Sequence, residues 1–172
     1  MKRLLLGITT FAALVALAGT VFAQKNPRGK ATLDVGGKNV SVEFGRPSLQ
    51  GKTVKERMSE LPAGAAWRLG ADTSTTFTTS GDLMFGDTKV AAGTYSLWLR
   101  QGEDKSWKLV FNSQHGQWGT MHDDAKDVAA VPMKEGKAAK PPDAVTISLA
   151  KEGTGGMITI EWGDLKLTAD FK

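Results

Sequence analysis

The sequence predicts an all-β fold: a single antiparallel β-sandwich, jelly-roll or immunoglobulin-like, with at most one short helix. Three observations predict it. Apolar residues recur at every second position in one short segment after another, the period of a half-buried strand. Glycine-based turn signals stand between those segments. Helical character is confined to a single run near residue 55. Alternation of this kind argues antiparallel sheets with one wet face.

The chain starts with a targeting pattern. Lys2 and Arg3 precede an apolar run over 4–18, and Gly-Thr-Val-Phe-Ala ends at Ala23. This is the three-part form of a secretory signal peptide, with Val21 and Ala23 at the −3 and −1 positions. The run is short for a membrane span of about 20 residues. Residues 1–23 are therefore expected to be removed on export to the periplasm or the medium, leaving no integral membrane segment. Residues 24–30 (QKNPRGK) read as a flexible leader, and 31–172 as a single β-sandwich domain.

Residues 31–34 and 39–44 form the first hairpin across Gly36-Gly37, with Val40, Val42 and Phe44 on one face. Arg46-Pro47 interrupts it, since Pro47 fixes its own φ and extends Arg46. Residues 54–60 (VKERMSE) read as a short helix stopped by Pro62 and Gly64. Residues 66–69 and 74–80 are extended, and 83–85 with 89–90 form a hairpin across Gly86-Asp87. Residues 94–100 place Tyr95, Leu97 and Leu99 on one face, and 107–112 do the same with Trp107, Leu109 and Phe111. Residues 113–126 have no period and are long for a hairpin connection, a length often associated with function. Residues 127–133 resume as a strand that Pro132 confines to an edge or an end. Residues 134–143 read as a solvated Lys/Pro-rich loop. Alternation around Ile147, Ile160 and Leu167 closes the chain with three more strands.

Composition excludes whole classes of chemistry. The chain of 172 residues has no cysteine, so thiol catalysis, thiolate metal sites and disulfides are absent. The formal charge is +4, and subtracting Lys2 and Arg3 leaves +2 for the exported part, a mixed surface with no basic footprint for nucleic acid. There is no G-x-S-x-G, no phosphate-binding loop and no dinucleotide fingerprint.

The densest polar motif is residues 66–80, AWRLGADTSTTFTTS. Two readings of Trp67, Arg68 and Asp72 are open. In one, an Arg–carboxylate fork holds an anion or a sugar, with Trp67 as stacking face. In the other, Trp67 is core and Arg68 pairs with Asp72 to fix a turn. Arg46 either joins that pocket or bonds loop carbonyls. The Thr run reads as strand surface, Thr being a good strand former. Trp98, beside Arg100, is a candidate exposed aromatic, or packs under a loop. His115, His122, Asp123 and Asp124 match neither a zinc nor a calcium ligand spacing, so no metal is assigned.

Read in order, GRPSLQGK at 45–52, the 66–80 motif, AAGTYSLW at 91–98, Trp107, Phe111-Asn112 and QWGT at 117–120 resemble an exported bacterial family, the domain of unknown function 2911. The resemblance covers the chain after Val40. It implies export and a compact β domain, and it adds no chemistry. The family's central motif more often reads Trp-Arg-Thr-Gly-Ala-Asn. Here Leu69 and Asp72 stand at the Thr and Asn places, so a carboxylate replaces an amide donor.

The expectation is therefore an exported β-sandwich that binds a small molecule or glycan without catalysis and without a cofactor. The expected site residues are Arg46, Trp67, Arg68, Asp72, His115 and Trp118, with no catalytic residue assigned. Two alternatives stand beside it. One is a hydrolase-type enzyme using the 115–127 loop, with or without a metal. The other is a structural or partner-binding envelope domain with an exposed strand edge near Pro132 or the C-terminus.

Overall fold

Hairpins dominate the computed structural model, which describes residues 25–59 and 64–172. The expected signal segment, residues 1–23, lies outside the described residues. β1 (Arg28–Val35) and β2 (Lys38–Gly45) pair from Arg28↔Gly45 to Val35↔Lys38. Their turn, Gly36-Gly37, has φ of 57° and 75°, the left-handed backbone that a two-residue hairpin demands. The leader expected over 24–30 is corrected here. β1 begins at Arg28 because Arg28 and Gly29 continue the ladder to Gly45 and Phe44. The amides of Lys25 and Asn26 are also bonded to Asp72.

α1 (Val54–Ser59) starts on a capping box: Glu56 N–H donates to Thr53 Oγ1 and Thr53 N–H to Glu56 Oε2. β3 (Ala66–Trp67) and β4 (Thr76–Thr79) each pair with β7 (Gly93–Gln101). β5 (Leu83–Phe85) and β6 (Thr88–Val90) form a separate hairpin. β8 (Trp107–Asn112) pairs with β7, and a single 3-10 turn, Asp124–Lys126, leads into β9 (Asp127–Lys137). β10 (Thr146–Glu152), β11 (Gly155–Trp162) and β12 (Leu165–Phe171) follow as an antiparallel meander.

The fold is all-β and antiparallel. One path of hydrogen-bonded strands runs β1-β2-β4-β7-β8-β9-β12-β11-β10, and its end strands β1 and β10 lie against each other without a ladder, so the sheet curls nearly shut. β9 is the corner of that path. Its first part pairs with β8, up to Trp107↔Met133, and its last part with β12, from Lys134↔Thr168 to Lys137↔Leu165. Residues 134–137 are therefore strand, where a solvated loop was expected, because β12 offers them a bonding edge. Pro132 sits just before the switch, where the missing N–H costs no ladder bond to β12. The edges of the path are β1 and β10, so neither Pro132 nor the C-terminal strand forms one.

Alternation is obeyed on the inner face. Phe111 is fully buried at the centre of the core, edge-on to Phe77 at 5.2 Å and 86°, with Phe85 at 5.4 Å and Tyr95 at 6.0 Å. The outer face of β7 and β8 is not wet. Ser96, Trp98, Val110 and Asn112 are buried as well, because residues 113–126 lie over them. Ser96 Oγ donates to Gln114 O at 2.7 Å, and Asn112 Nδ2 to Asp123 O at 2.8 Å. No helix among the described residues is long and apolar enough to cross a membrane.

Candidate functional site

The site begins at a tight bend after β3. Leu69 and Asp72 have φ of 45° and 62°, and Gly70 lies between them at 154°. Non-glycine residues in this region are strained by about 1–2 kcal/mol each, and such strain persists only where surroundings enforce it. Here they do. Thr75 Oγ1 donates to Leu69 O at 2.6 Å. The end of β2 presses on the bend so closely that a Cβ on Gly45 would fall 2.2 Å from Ala71 O. On the other side Gly119 N–H donates to Asp72 O at 2.8 Å, and a Cβ on Gly119 would meet Arg68 Cδ at 2.9 Å. The bend thus seats Arg68 against the 118–122 segment.

Asp72 is an anchor. Its buried Oδ2 accepts from Lys25 N at 2.9 Å, Asn26 N at 2.7 Å and Asn26 Nδ2 at 3.2 Å. Burial pushes the carboxyl pKa upward. The hydrogen bonds from Asn26 and Lys25 and the charge of Arg68 together outweigh it, so the net position is below the ordinary carboxylate value. A carboxylate suits this role, since it only accepts and three donors converge on one of its oxygens.

A cleft of about 530 Å³ opens between this strap, the turn after β2, α1, β3 and the 118–122 segment. Trp67 and Arg68 line it. So do Asn26 from the strap, Arg57 from α1, and His122 and Trp162. Trp67 stacks on Trp162 at 5.1 Å and 4°, which uses one ring face in packing. Its indole N–H has no hydrogen-bond partner among the described residues and keeps access to solvent. Arg68 donates no side-chain hydrogen bond to a described residue.

Beside the cleft, His122 packs on Trp98 with ring centroids 4.5 Å apart. His122 Nε2 is 2.8 Å from Asp127 Oδ1, and because that carboxylate only accepts, Nε2 carries the hydrogen. Asn112 Nδ2 donates to the same oxygen at 2.7 Å. The other ring nitrogen, Nδ1, is 3.4 Å from Asp124 Oδ1. His122, Asp124 and Asp127 bring one ligating atom each within 4.8 Å of one another, a spacing a metal ion would accept. Arg100 already bridges both carboxylates, lying 3.3 Å from Asp127 Oδ2 and closer still to Asp124. A divalent ion would have to displace that guanidinium.

Of the six residues expected at the site, two line the cleft: Trp67 and Arg68. Asp72 lies behind them as the strap's anchor. Arg46 faces elsewhere, its Nε donating to Val145 O at 3.2 Å, which is the loop-carbonyl alternative. His115 is exposed on the covering loop, and half-buried Trp118 bridges to Thr73 by backbone. Neither lines the cleft. Trp98 packs under the loop and is not an exposed platform. Asn26, Arg57 and Trp162 carry no sequence signal of a site, because a leader, a helix surface and an inward strand position each explain them without one.

A family model described as "Protein of unknown function (DUF2911)" matches residues 26–171. No curated protein and no solved structure matches the chain.

Proposed function

This chain belongs to the DUF2911 family of proteins of unknown function, and we propose that it is an exported, non-catalytic protein that binds a small or polymeric organic ligand in the cleft beside Trp67. The observation that carries the reading is Arg68. A guanidinium has five donors, and leaving them without a hydrogen-bond partner among the described residues at the wall of a cleft suits a recognition site. The aromatic walls and side-chain amides around it supply the apolar surface and directional groups that ligand sites combine. Export is part of the proposal and rests on the Lys2-to-Ala23 pattern. Protein recovered from an exporting host should begin at Gln24.

A thermal-shift screen of sugars and metabolites tests the binding. Wild type should be stabilised by at least one compound class, and Arg68→Ala and Trp67→Ala should lose that response while keeping their far-ultraviolet spectra. A screen to which wild type never responds removes the proposal.

A hydrolase-type reading has one observation behind it, the Asn112–Asp127–His122 chain, in which a carboxylate orients an imidazole. Against it, both ring nitrogens face carboxylates rather than the cleft. If hydrolysis of nitrophenyl esters or glycosides is detected and survives His122→Gln, this chain is not its source.

A further inference from the structure

Among the described residues the cleft is lined by two arginines and by no acid. Arg57 and Arg68 line it, and no described Asp or Glu does, although the chain contains 18 acidic residues. A surface cleft in a chain of mixed charge does not become acid-free and doubly arginine-lined without consequence for what enters it: field lines focus there and favour an anion.

The two arginines are not equivalent. Arg57 Nη2 is occupied by Leu49 O at 2.9 Å and Gln50 Oε1 at 3.3 Å. Arg68 lines the cleft and donates no side-chain hydrogen bond to a described residue, so its whole guanidinium fork is available to a ligand. That fork matches a carboxylate through two parallel hydrogen bonds. With Arg57 engaged, Arg68 is the one lining arginine whose fork has no described partner, which favours a ligand carrying a single carboxylate over a more highly charged one. Asn26 and Gln50 supply amides that can both donate and accept, and Thr120 a hydroxyl, a set suited to ligand hydroxyls.

We infer that the ligand is a monoanionic, hydroxylated ring acid of the uronic-acid type, gripped through its carboxylate by Arg68. This inference rests on the binding proposed for the same cleft and commits it to a chemical class.

Titration of intrinsic tryptophan fluorescence or calorimetry with four probes tests it: glucuronate, glucose, glucose 6-phosphate and benzoate. Glucuronate should bind wild type about ten- to hundredfold more tightly than glucose, the range expected for charged hydrogen bonds. Arg68→Ala should remove that preference. Arg68→Lys, which keeps the charge and loses the fork, should restore only part of it. Glucose binding as well as glucuronate overturns the inference and leaves cleft binding standing. Glucose 6-phosphate binding more tightly overturns the monoanion, and benzoate binding in place of glucuronate overturns the hydroxylated ring. Silence from all four overturns the inference, while the wider thermal-shift screen decides separately whether the cleft binds anything.

Discussion

Asp72 shows how one side chain can serve a cleft without lining it. It holds the backbone of Lys25 and Asn26, and Asn26 is cleft wall. Asp72→Ala should cost about 1–2 kcal/mol, the value of hydrogen bonds to a charged acceptor offset by re-solvation of the released strap. Chemical denaturation measures that cost, and faster tryptic cleavage after Lys25 reports the release. The pH dependence has a definite sign. The folded pKa lies below the unfolded one, so the stabilisation is present above the ordinary carboxylate pKa and disappears as pH falls below about 4. Asp72→Asn should flatten the acid limb of the stability profile in that window. An unchanged limb would mean that another carboxylate controls it. Arg100 is the counter-example at this scale. Its pairing with Asp124 involves a largely exposed carboxylate and contributes little, so its contact with the more buried Asp127 matters more.

The bend over 69–72 and the end of β2 form the element on which the cleft depends. Gly45→Ala drives a methyl into Ala71 O, which is 2.2 Å from the Cβ position. Backbone cannot yield as a flexible side chain would, so a loss of about 1–3 kcal/mol is expected. Loss of any Arg68-dependent ligand response should accompany it, since the bend carries Arg68. A thermal melt and the same titration read both. The hairpins of this element set were legible from the sequence, because period two and Gly-Gly or Gly-Asp turns are local signals. What was not legible is long-range. Asn26 meets Asp72 across 46 positions. Ser96 and Trp98 read as outward residues, yet a loop from 113 onward buries them. Residues 134–137 read as loop because the composition is Lys-rich, and only the edge of β12 makes them strand. Arg68 and Trp67 are legible because a side-by-side Trp and Arg is a local signal. His115 and Trp118 are expected at the site only from the length of their loop, a signal that does not say which loop residues face inward.

At the scale of the whole molecule, the curled path of strands closes around one aromatic cluster, and Phe111 touches most of it. Phe77, Phe85 and Tyr95 all pack on that ring, and Phe171 reaches it through Phe85. Phe111→Ala should cost about 3–5 kcal/mol, transfer plus cavity. Because β9 joins the β8 side to the β12 side, the loss should appear as one shifted denaturation transition. Two separated transitions would show that the two sides unfold independently. The strap has a practical bearing on every binding measurement proposed above. Since Asn26 is part of the cleft wall, an affinity tag fused ahead of Lys25 emerges at the mouth and competes for the cleft or props it open. The opposite terminus is outside the cleft's lining, and Lys172 N and O both bond Met84. A tag placed there, behind a flexible spacer, leaves the ligand's way in clear.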